Sequence, residues 1–254
     1  MSDLAVFALD GRVALVTGGG TGVGLGVARC LARAGARVVI AGRRQEVLDE
    51  GVAAIGHDAV AFALDVTDHA TVPQVVEQVE SQVGPIDILV NNSGNHIKRP
   101  AEELSDEAFA SVLDVHVGGG FAVTREVGRH MLERGRGSVT FISSMNALIG
   151  MPEVAAYSAA KAALTGLVRS LSTEWAPRGV RVNAIVPGWV DAGMAQRVLG
   201  ADEARMARVL ARTPMGRLAG ADEIGWAAVY LASEAGAFVS GAMLPVDGGA
   251  AVGF

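Results

Sequence analysis

A tyrosine, a lysine and a serine near the middle of the chain could act together on one oxygen atom. Tyr157 and Lys161 are four positions apart, so on a helix their side chains project from the same face. Ser144 lies thirteen positions before the tyrosine, across a loop that contains Gly150 and Pro152. A hydroxyl, a phenol and an ammonium group could therefore converge on one carbonyl oxygen. A helix whose tyrosine only packs in the core would show the same spacing. The spacing alone therefore does not establish a catalytic role, and other motifs in the chain are needed.

Acid–base chemistry at this tyrosine would need help from its surroundings. A free phenol has a pKa near ~10, which makes it a poor acid or base at neutral pH. A cation one helical turn away favours the phenolate, so we predict that Lys161 lowers the pKa of Tyr157 toward the working range. The three residues indicate proton exchange with a substrate oxygen, provided that the fold brings them together.

Strands and helices alternate along the chain, and this alternation predicts how the three residues are held. Several predicted strands are short, continuous and apolar, which is typical of a parallel sheet covered on both faces. We therefore predict an α/β fold, a Rossmann-type doubly wound parallel sheet, forming a single domain over residues 1–254. The predicted strands cover residues 12–17, 37–41, 59–64, 86–90, 138–143, 180–186 and 243–246. The predicted helices cover residues 23–34, 44–55, 68–83, 105–134, 155–176, 194–212 and 222–233.

A glycine-rich turn joins the first predicted strand to the first predicted helix. Residues 17–24 read T-G-G-G-T-G-V-G, with glycines at Gly18, Gly22 and Gly24. Glycine permits the positive φ of a sharp turn, and it lets the backbone approach a pyrophosphate at the positive end of a helix. A plain loop could have the same composition, but the position between a strand and a helix predicts dinucleotide binding.

Taken together, these motifs resemble the short-chain dehydrogenase/reductase family, and in detail its gluconate 5-dehydrogenase-like members. The motifs are T-G-x-x-x-G-x-G at residues 17–24, N-N-S-G at residues 91–94, Ser144, Tyr157, Lys161 and P-G at Pro187 and Gly188. They fall in the order and spacing of the family, from about residue 9 to the C-terminus. The resemblance implies a nicotinamide cofactor, hydride transfer between a secondary alcohol and a ketone, and a homotetramer.

The resemblance also implies roles for individual residues. Tyr157 would be the general acid in reduction and the base in oxidation, Lys161 would lower its pKa and bind the nicotinamide ribose, and Ser144 would hydrogen-bond the substrate oxygen. Asp65 resembles the residue that faces the adenine, although it could also cap the helix near Asp68. The expected cofactor-binding residues are Gly18, Gly20, Thr21, Gly22, Val23, Arg43, Asp65, Val66, Asn91, Gly94, Tyr157, Lys161, Pro187, Gly188 and Val190.

The end of the second predicted strand bears on the choice between NADP and NAD. A carboxylate at this place binds the ribose 2′-hydroxyl of NAD, whereas an arginine accommodates the 2′-phosphate of NADP. Gly42 stands where the acid is expected and Arg43 follows it, so we favour NADP and keep NAD as the alternative. Arg43 and Arg44 would also fit the solvated start of a helix. Thr21 stands where many NADP-using relatives carry a basic residue.

One position departs from the pattern of the family. His116 stands where the family commonly has an asparagine whose main-chain carbonyl supports a proton-relaying water. His116 keeps such a carbonyl, and its imidazole could titrate near neutrality and join the relay. A packed histidine without a chemical role is the alternative. Gly118, Gly119 and Gly120 follow in the same predicted helix, each costing about 1 kcal/mol relative to alanine, and they indicate a bend or close backbone packing, such as at a subunit interface.

The substrate would be a small alcohol or carbonyl compound, bound beneath a lid at about residues 190–215. Similarity to gluconate 5-dehydrogenase-like members implies a sugar acid or a polyol. Basic side chains would attract a carboxylated substrate, or they are solvated; they are Arg197, Arg205, Arg208 and Arg212, with H-I-K-R at residues 96–99. Trp189, Met194 and Leu148 fit an apolar pocket equally well, so a 3-oxoacyl thioester reductase or a general carbonyl reductase is the alternative.

Composition argues against several other classes of function. The net charge of −6 with mixed signs gives no basic stripe, so we expect no nucleic-acid partner. No apolar run approaches the ~20 residues of a membrane span, and the N-terminus lacks the features of a signal peptide. Cys30 is the only cysteine, which indicates a reducing compartment, so we expect a soluble cytoplasmic protein. The five histidines show no metal-ligand spacing, which predicts no catalytic metal.

A function of another class also accounts for the glycine-rich turn. A dinucleotide-sensing regulator would bind the cofactor and do no chemistry, and it would be expected to lack Tyr157 or Lys161. Both residues are present, which favours an enzyme.

Overall fold

A seven-stranded parallel sheet forms the centre of the structure, a computed structural model that describes residues 3–192 and 203–253. The strands are β1 (Val13–Thr17), β2 (Arg37–Gly42), β3 (Val60–Ala63), β4 (Ile86–Asn91), β5 (Gly137–Ile142), β6 (Val180–Pro187) and β7 (Met243–Val246). Their order in the sheet is β3-β2-β1-β4-β5-β6-β7, and every neighbouring pair is parallel. The prediction of a doubly wound parallel sheet is confirmed.

Helices follow most of the strands. They are α1 (Gly22–Arg33), α2 (Gln45–Ile55), α3 (Val72–Gln82), α4 (Asp106–Leu113), α5 (Gly120–Arg134), α6 (Ala155–Trp175), α7 (Glu203–Arg212) and α8 (Ala221–Ala232). The helix predicted over residues 194–212 lies partly outside the described residues, and α7 is its described part. Within the part of the chain that the structure describes, no helix combines the length and the apolarity that crossing a bilayer would need.

The predicted helix at residues 68–83 begins later than expected. Turns occupy the chain before it, since the amide of Asp68 donates to Asp65 O and the amide of Thr71 donates to Asp68 O. Helix α3 starts at Val72, and Pro73 lies in its first turn, where a missing N–H costs nothing. Asp65 therefore lies well before the helix and does not cap it.

Two apolar layers cover the sheet, one on each face. Helices α1, α2 and α8 pack on one face through residues such as Leu31, Leu48 and Ile224. Helices α3, α5 and α6 pack on the other through residues such as Val123 and Leu164. Since both faces are covered, every residue of β1 and β4 is buried, which explains their continuous apolar sequences.

The order of the strands creates a crevice at one edge of the sheet. The chain runs outward from β1 to β2 and β3 and then returns to pair β4 with the other side of β1. The connections after β1 and β4 therefore leave in opposite directions, and a crevice opens at their carboxyl ends. The glycine-rich turn follows β1 there, and the N-N-S-G motif follows β4.

The long helix predicted over residues 105–134 is interrupted. Ser105 begins α4 by accepting a hydrogen bond from the amide of Ala108 at 3.2 Å, and α4 ends at Leu113. The next segment, Asp114–Gly119, is π-helical, and α5 begins after it. At Gly119 a Cβ atom would lie only 2.7 Å from Cγ2 of Val66. The prediction from the glycines of close backbone packing is confirmed, and the contact lies within this chain.

Replacing Gly119 with alanine is expected to destabilise the protein by about 1–3 kcal/mol, because the added methyl group would overlap Val66. The neighbouring Gly120 provides a matched control, since a Cβ there would lie 3.5 Å from Cε1 of Phe141, an ordinary contact. Gly120→Ala should be neutral, or stabilising by up to about 1 kcal/mol, because alanine favours helix. The free energy of unfolding in denaturant measures both, and equal stability of the two variants would contradict the close contact.

Candidate active site

A cleft of about 370 Å³ opens at the carboxyl ends of the strands. It brings together residues from the turns after β1, β2, β3, β4 and β5 with the first turns of α6. Most of the residues predicted from the sequence line it: Gly18, Gly20, Thr21, Gly22, Val23, Arg43, Asp65, Val66, Gly94, His116, Ser144, Tyr157, Lys161 and Pro187.

Three predicted cofactor residues are not among the described residues that line the cleft. Asn91 is buried, and its Nδ2 donates to Thr124 Oγ1 at 2.8 Å. Gly188 packs so closely on Asp247 that a Cβ would lie 2.7 Å from its Cα. Val190 is buried and pairs with Ala219 through the main chain. Contact of these three residues with a cofactor stays a prediction.

The glycine-rich turn has the geometry of a phosphate-binding loop. Gly18 and Gly22 have φ of +64° and +58°, which favours glycine at both positions. Thr21 precedes α1 in an extended conformation and makes no side-chain capping hydrogen bond to the helix. The amides of the first turn of α1 are therefore left without that partner, and they line the cleft at the positive end of the helix. This arrangement fits the pyrophosphate of a dinucleotide.

A pair of polar residues that the sequence analysis did not assign holds this turn in place. Thr17 Oγ1 accepts hydrogen bonds from the amides of Asn92 and Ser93, both at 3.1 Å. Asn92 Nδ2 donates to Thr17 O at 3.1 Å and to Gly18 O at 3.0 Å. The ends of β1 and β4 are thereby joined at the crevice. The signal in the sequence was a polar residue at the end of each of two apolar strands.

Arginine and aspartate side chains line the part of the cleft that follows β2 and β3. Arg43 and Arg44 both line it, and the Arg43 side chain is 71% exposed. Asp65 accepts hydrogen bonds from the hydroxyl and the amide of Thr67 at 2.7 and 3.0 Å, which lower the pKa of its carboxyl group. Arg43 Nη1 lies 3.9 Å from Asp65 Oδ2. The guanidinium group is thus held only loosely and could turn toward a phosphate.

The three residues of the predicted catalytic group converge as expected. Lys161 is buried at 4% exposure, and its Nζ lies 5.4 Å from the centroid of the Tyr157 ring. The Lys161 ammonium donates to Ile142 O, at the end of β5, with a distance of 2.6 Å. The Ser144 hydroxyl donates to Asn146 Oδ1 at 3.3 Å, and it lies close enough to the phenol of Tyr157 to lower its pKa by hydrogen bonding. Ser143 is occupied elsewhere, because its hydroxyl donates to Lys161 O at 3.2 Å.

The predicted direction of the Tyr157 pKa is wrong. Burial raises the pKa of Tyr157 above its ordinary value, and the hydrogen bond from Ser144 lowers it only in part. Burial also lowers the pKa of Lys161 to about 7. The ammonium group is therefore partly neutral at physiological pH, and it cannot act on the phenol as the full charge that the sequence analysis assumed.

His116 lies at the same site, and of the two alternatives left open for its imidazole, titration near neutrality is wrong. Its side chain is buried, and burial together with the charge of Lys161 lowers the pKa of the imidazole to about 3. The ring contacts Tyr157 edge-on, with ring centroids 5.4 Å apart and an interplanar angle of 82°. The neutral imidazole is thus in contact with the phenol ring.

Comparisons with known proteins agree with this geometry. A sequence profile of the family described as Enoyl-(Acyl carrier protein) reductase matches residues 18–251. The chain is 40% identical to gluconate 5-dehydrogenase of Gluconobacter oxydans (strain 621H), over 99% of both chains. It is 40% identical to galactitol 2-dehydrogenase (L-tagatose-forming) of Cereibacter sphaeroides, over 96% of both. A crystal structure of a gluconate 5-dehydrogenase from Burkholderia cenocepacia J2315, in complex with NADP and tartrate, superposes with a TM-score of 0.94 at 38% identity, over 99% of both chains.

The chain belongs to the short-chain dehydrogenase/reductase family. The matches extend over nearly its whole length, so the resemblance drawn from the motifs is confirmed. The protein is accordingly an oxidoreductase of that family, and the expected nicotinamide cofactor agrees with the NADP found in the Burkholderia enzyme.

Two basic residues of the 96–99 segment, Lys98 and Arg99, are bonded to Glu153. Lys98 forms an ion pair with Glu153 at 2.9 Å, and the amide of Arg99 donates to Glu153 O at 2.9 Å. Glu153 has a φ of +64°, which is uncommon outside glycine. The 96–99 segment is therefore tied to the turn that precedes α6, the helix that carries Tyr157 and Lys161.

The predicted lid and the residues predicted for an apolar pocket are only partly described. Met194 and Arg197 lie outside the described residues, while Arg208 and Arg212 are exposed on α7 and do not line the cleft. Leu148 is half exposed, and Trp189 packs against a small apolar cluster. In residues 3–192 and 203–253, no three His, Cys, Asp or Glu side chains are grouped so that they could hold a metal ion.

The lowered pKa of Lys161 can be measured directly, because Lys98 is the only other lysine of the chain. Lysine labelled with ¹³C at Cε gives two NMR signals, and Lys98→Arg assigns them. We expect the Lys161 signal in dinucleotide-free protein to titrate at about pH 7, with the charged form below that pH and the neutral amine above it. A midpoint above about pH 9, close to that of a solvated lysine, would contradict the burial argument.

Proposed function

We propose that the protein is an NADP-dependent oxidoreductase that interconverts a secondary alcohol and a ketone on a sugar acid or a polyol. The convergence of Tyr157, Ser144 and Lys161 at the cleft is the observation that carries the proposal. The substrate class rests on relatives named for gluconate and galactitol.

The protein's own groups can perform the proton transfer. Tyr157 holds a proton on its phenol oxygen, donates it to the substrate oxygen in reduction and takes it back in oxidation. Ser144 Oγ can donate a hydrogen bond to the same oxygen, where negative charge develops. Lys161, with a pKa of about 7, can take up or release a proton near the phenol at physiological pH. The dinucleotide, when bound, supplies or accepts the hydride.

The residues of the cleft suit NADP as that dinucleotide. The turn at Gly18 and Gly22 would hold the pyrophosphate, and Arg43 and Arg44 would face the adenosine ribose. Gly42 places no carboxylate at the end of β2, and a loosely held guanidinium group follows it. Arginine suits a 2′-phosphate, so we favour NADP over NAD.

A substrate of another kind is the main alternative. The description of the matching family profile names an acyl carrier protein, which favours a 3-oxoacyl thioester or another carbonyl compound. Initial rates with gluconate, galactitol, a 3-oxoacyl thioester and a simple ketone, each with NADP(H) and NAD(H), separate the two candidates. A regulator without chemistry is disfavoured, because Tyr157 and Lys161 are present and placed together.

We also propose that the protein is a cytoplasmic homotetramer, with residues 1–254 acting as one unit and residues of about 190–215 as the lid. Half-exposed Phe109 on α4 and Phe121 on α5 support an interface between copies, since exposed aromatic side chains are typical of such surfaces. Light scattering should give four times the chain mass of 26.0 kDa.

Replacing Tyr157 with phenylalanine should reduce kcat by about 10²–10⁴-fold, because the variant has no phenolic proton to exchange. The affinity for NADPH, measured by fluorescence titration, should stay the same, since the ring remains. Tyr230→Phe is the matched control, because Tyr230 is the only other tyrosine and lies on α8. A Tyr157→Phe variant with native kcat on its best substrate would exclude the proposed mechanism.

Replacing Arg43 with alanine should weaken NADPH binding about tenfold, or by about 1.4 kcal/mol, and leave NADH binding nearly unchanged. The reason is that the 2′-phosphate distinguishes the two dinucleotides, and the variant removes its expected partner. Arg178→Ala makes the same change of charge at an exposed residue outside the cleft and serves as the control. If Arg43→Ala weakened both dinucleotides equally, Arg43 would not be the group that selects NADP.

A further inference from the structure

His116 is held in a position that a histidine on a regular α-helix would not occupy. It lies in the π-helical segment Asp114–Gly119 and is buried at 5% exposure. The chain makes room for it at Gly94, where a Cβ atom would overlap Cε1 of the imidazole. The N-N-S-G motif therefore ends in a glycine that the histidine contacts directly, and larger residues at position 94 would displace the ring.

The Nε2 atom of His116 contacts the backbone of a single residue, Asn95. Nε2 lies 2.9 Å from Asn95 O and 3.3 Å from the amide nitrogen of the same residue. The carbonyl oxygen can only accept from Nε2–H, whereas the amide would donate to an unprotonated Nε2, so the two contacts belong to different tautomers. We assign the proton to Nε2 because the contact with the carbonyl oxygen is the shorter one. Asn95 Nδ2 also donates to Ser111 O at 3.2 Å, so the residue is tied to α4 as well. His116 thus fixes the backbone conformation just after the N-N-S-G motif.

Two imidazole rings contact the catalytic tyrosine. His116 contacts Tyr157 edge-on at a centroid distance of 5.4 Å. His96, the residue after Asn95, also contacts Tyr157, at 5.5 Å and an interplanar angle of 63°. His116 is therefore connected to Tyr157 in two ways. Its own ring contacts the tyrosine, and its hydrogen bond to Asn95 holds the segment that carries His96.

The groups around His116 keep it neutral. The titratable groups that face it are Lys161 and Tyr157 from α6 and His96 from the segment after β4. Lys161 and His96 both disfavour an imidazolium ion, as does burial, and the bond to Asn95 opposes them only in part. A neutral imidazole that already donates to a carbonyl has no proton to contribute near pH 7.

We propose that His116 is a positioning residue, whose side chain holds the Tyr157 ring through its own ring and through its hydrogen bond to Asn95, and whose imidazole takes no part in proton transfer. This assignment rests on the proposed function, because positioning matters only if Tyr157 exchanges a proton with a substrate. It replaces the proton-relay role that the sequence left open for the imidazole.

Three variants separate the two contacts that His116 makes. His116→Gln keeps an amide nitrogen that can reach Asn95 O but loses the ring, His116→Phe keeps a ring but loses the hydrogen bond, and His116→Ala loses both. We expect kcat of His116→Ala to fall at least about tenfold, because small misplacements of a reacting group are costly. The Gln and Phe variants should lie between it and the native protein.

The pH dependence separates positioning from proton transfer. The profile of kcat/KM should keep the same midpoints in native protein and in His116→Gln, since neither side chain titrates near neutrality. Loss of a native ionisation between pH 5 and 8 in His116→Gln would overturn the proposal, as would a His116→Ala variant with kcat within about twofold of native. His57→Asn, on the loop between α2 and β3, controls for the loss of a histidine outside the cleft.

A measurement without substrate or dinucleotide keeps this test independent of the proposed function. In a Tyr230→Phe background the tyrosinate absorbance near 295 nm reports Tyr157 alone, since the chain has two tyrosines. His116→Ala should free the ring and admit water, so the raised pKa of Tyr157 should fall toward 10, by at least about half a unit. His116→Phe should shift it less. Overlaid titration curves of native and His116→Ala protein would overturn the proposal, even if no substrate were found. If the pKa of Tyr157 moves but no alcohol or ketone reacts, only the proposed function fails.

Discussion

Burial of the Lys161 amine beside a carbonyl oxygen is the constraint on which the site depends. Removing an ammonium group from water is costly, and a neutral carbonyl offsets less of that cost than a carboxylate would. The Lys161 amine is therefore partly deprotonated at neutral pH, since burial lowers its pKa to about 7. The hydrogen bond to Ile142 O fixes the amine at the end of β5, and the surrounding core keeps it there. A buried amine with an intermediate pKa beside a phenol is typical of a functional site, and it is not a group that stabilises the fold.

The parallel sheet makes this arrangement possible. All of its strands end at one edge, so groups distant in sequence meet there without long loops. Thr17 and Asn92 join two of these ends by four hydrogen bonds, which fixes the glycine-rich turn relative to the segment that follows β4. The energetic weight of each bond is modest, at about 1 kcal/mol. Their geometric effect is larger, because together they hold the glycine-rich turn against the end of β4.

Local patterns in the sequence were sufficient to predict the sheet and to identify most of the residues that line the cleft. Apolar runs and glycine turns depend on near neighbours, so strands such as β7 were predicted with their observed bounds. The predictions that were wrong depend on contacts between distant residues. The helix at residues 105–134 is interrupted where Gly119 meets Val66, and the pKa of Tyr157 moves upward because the folded chain buries it. Burial also explains why His116 is neutral, which the ordinary pKa of an imidazole could not show.

The π-helical segment has a consequence for how this protein tolerates insertions and deletions. A π-turn accommodates one residue more than an α-helix does, and each residue turns the chain by about 100°. Deleting one residue from Asp114–Gly119 would restore a continuous α-helix while leaving α4 and α5 formed. The same deletion would rotate α4 relative to α5, and either His116 would leave Asn95 or α4 would leave α6. The spacing between the two helices is therefore under tighter constraint than the identity of most residues in them.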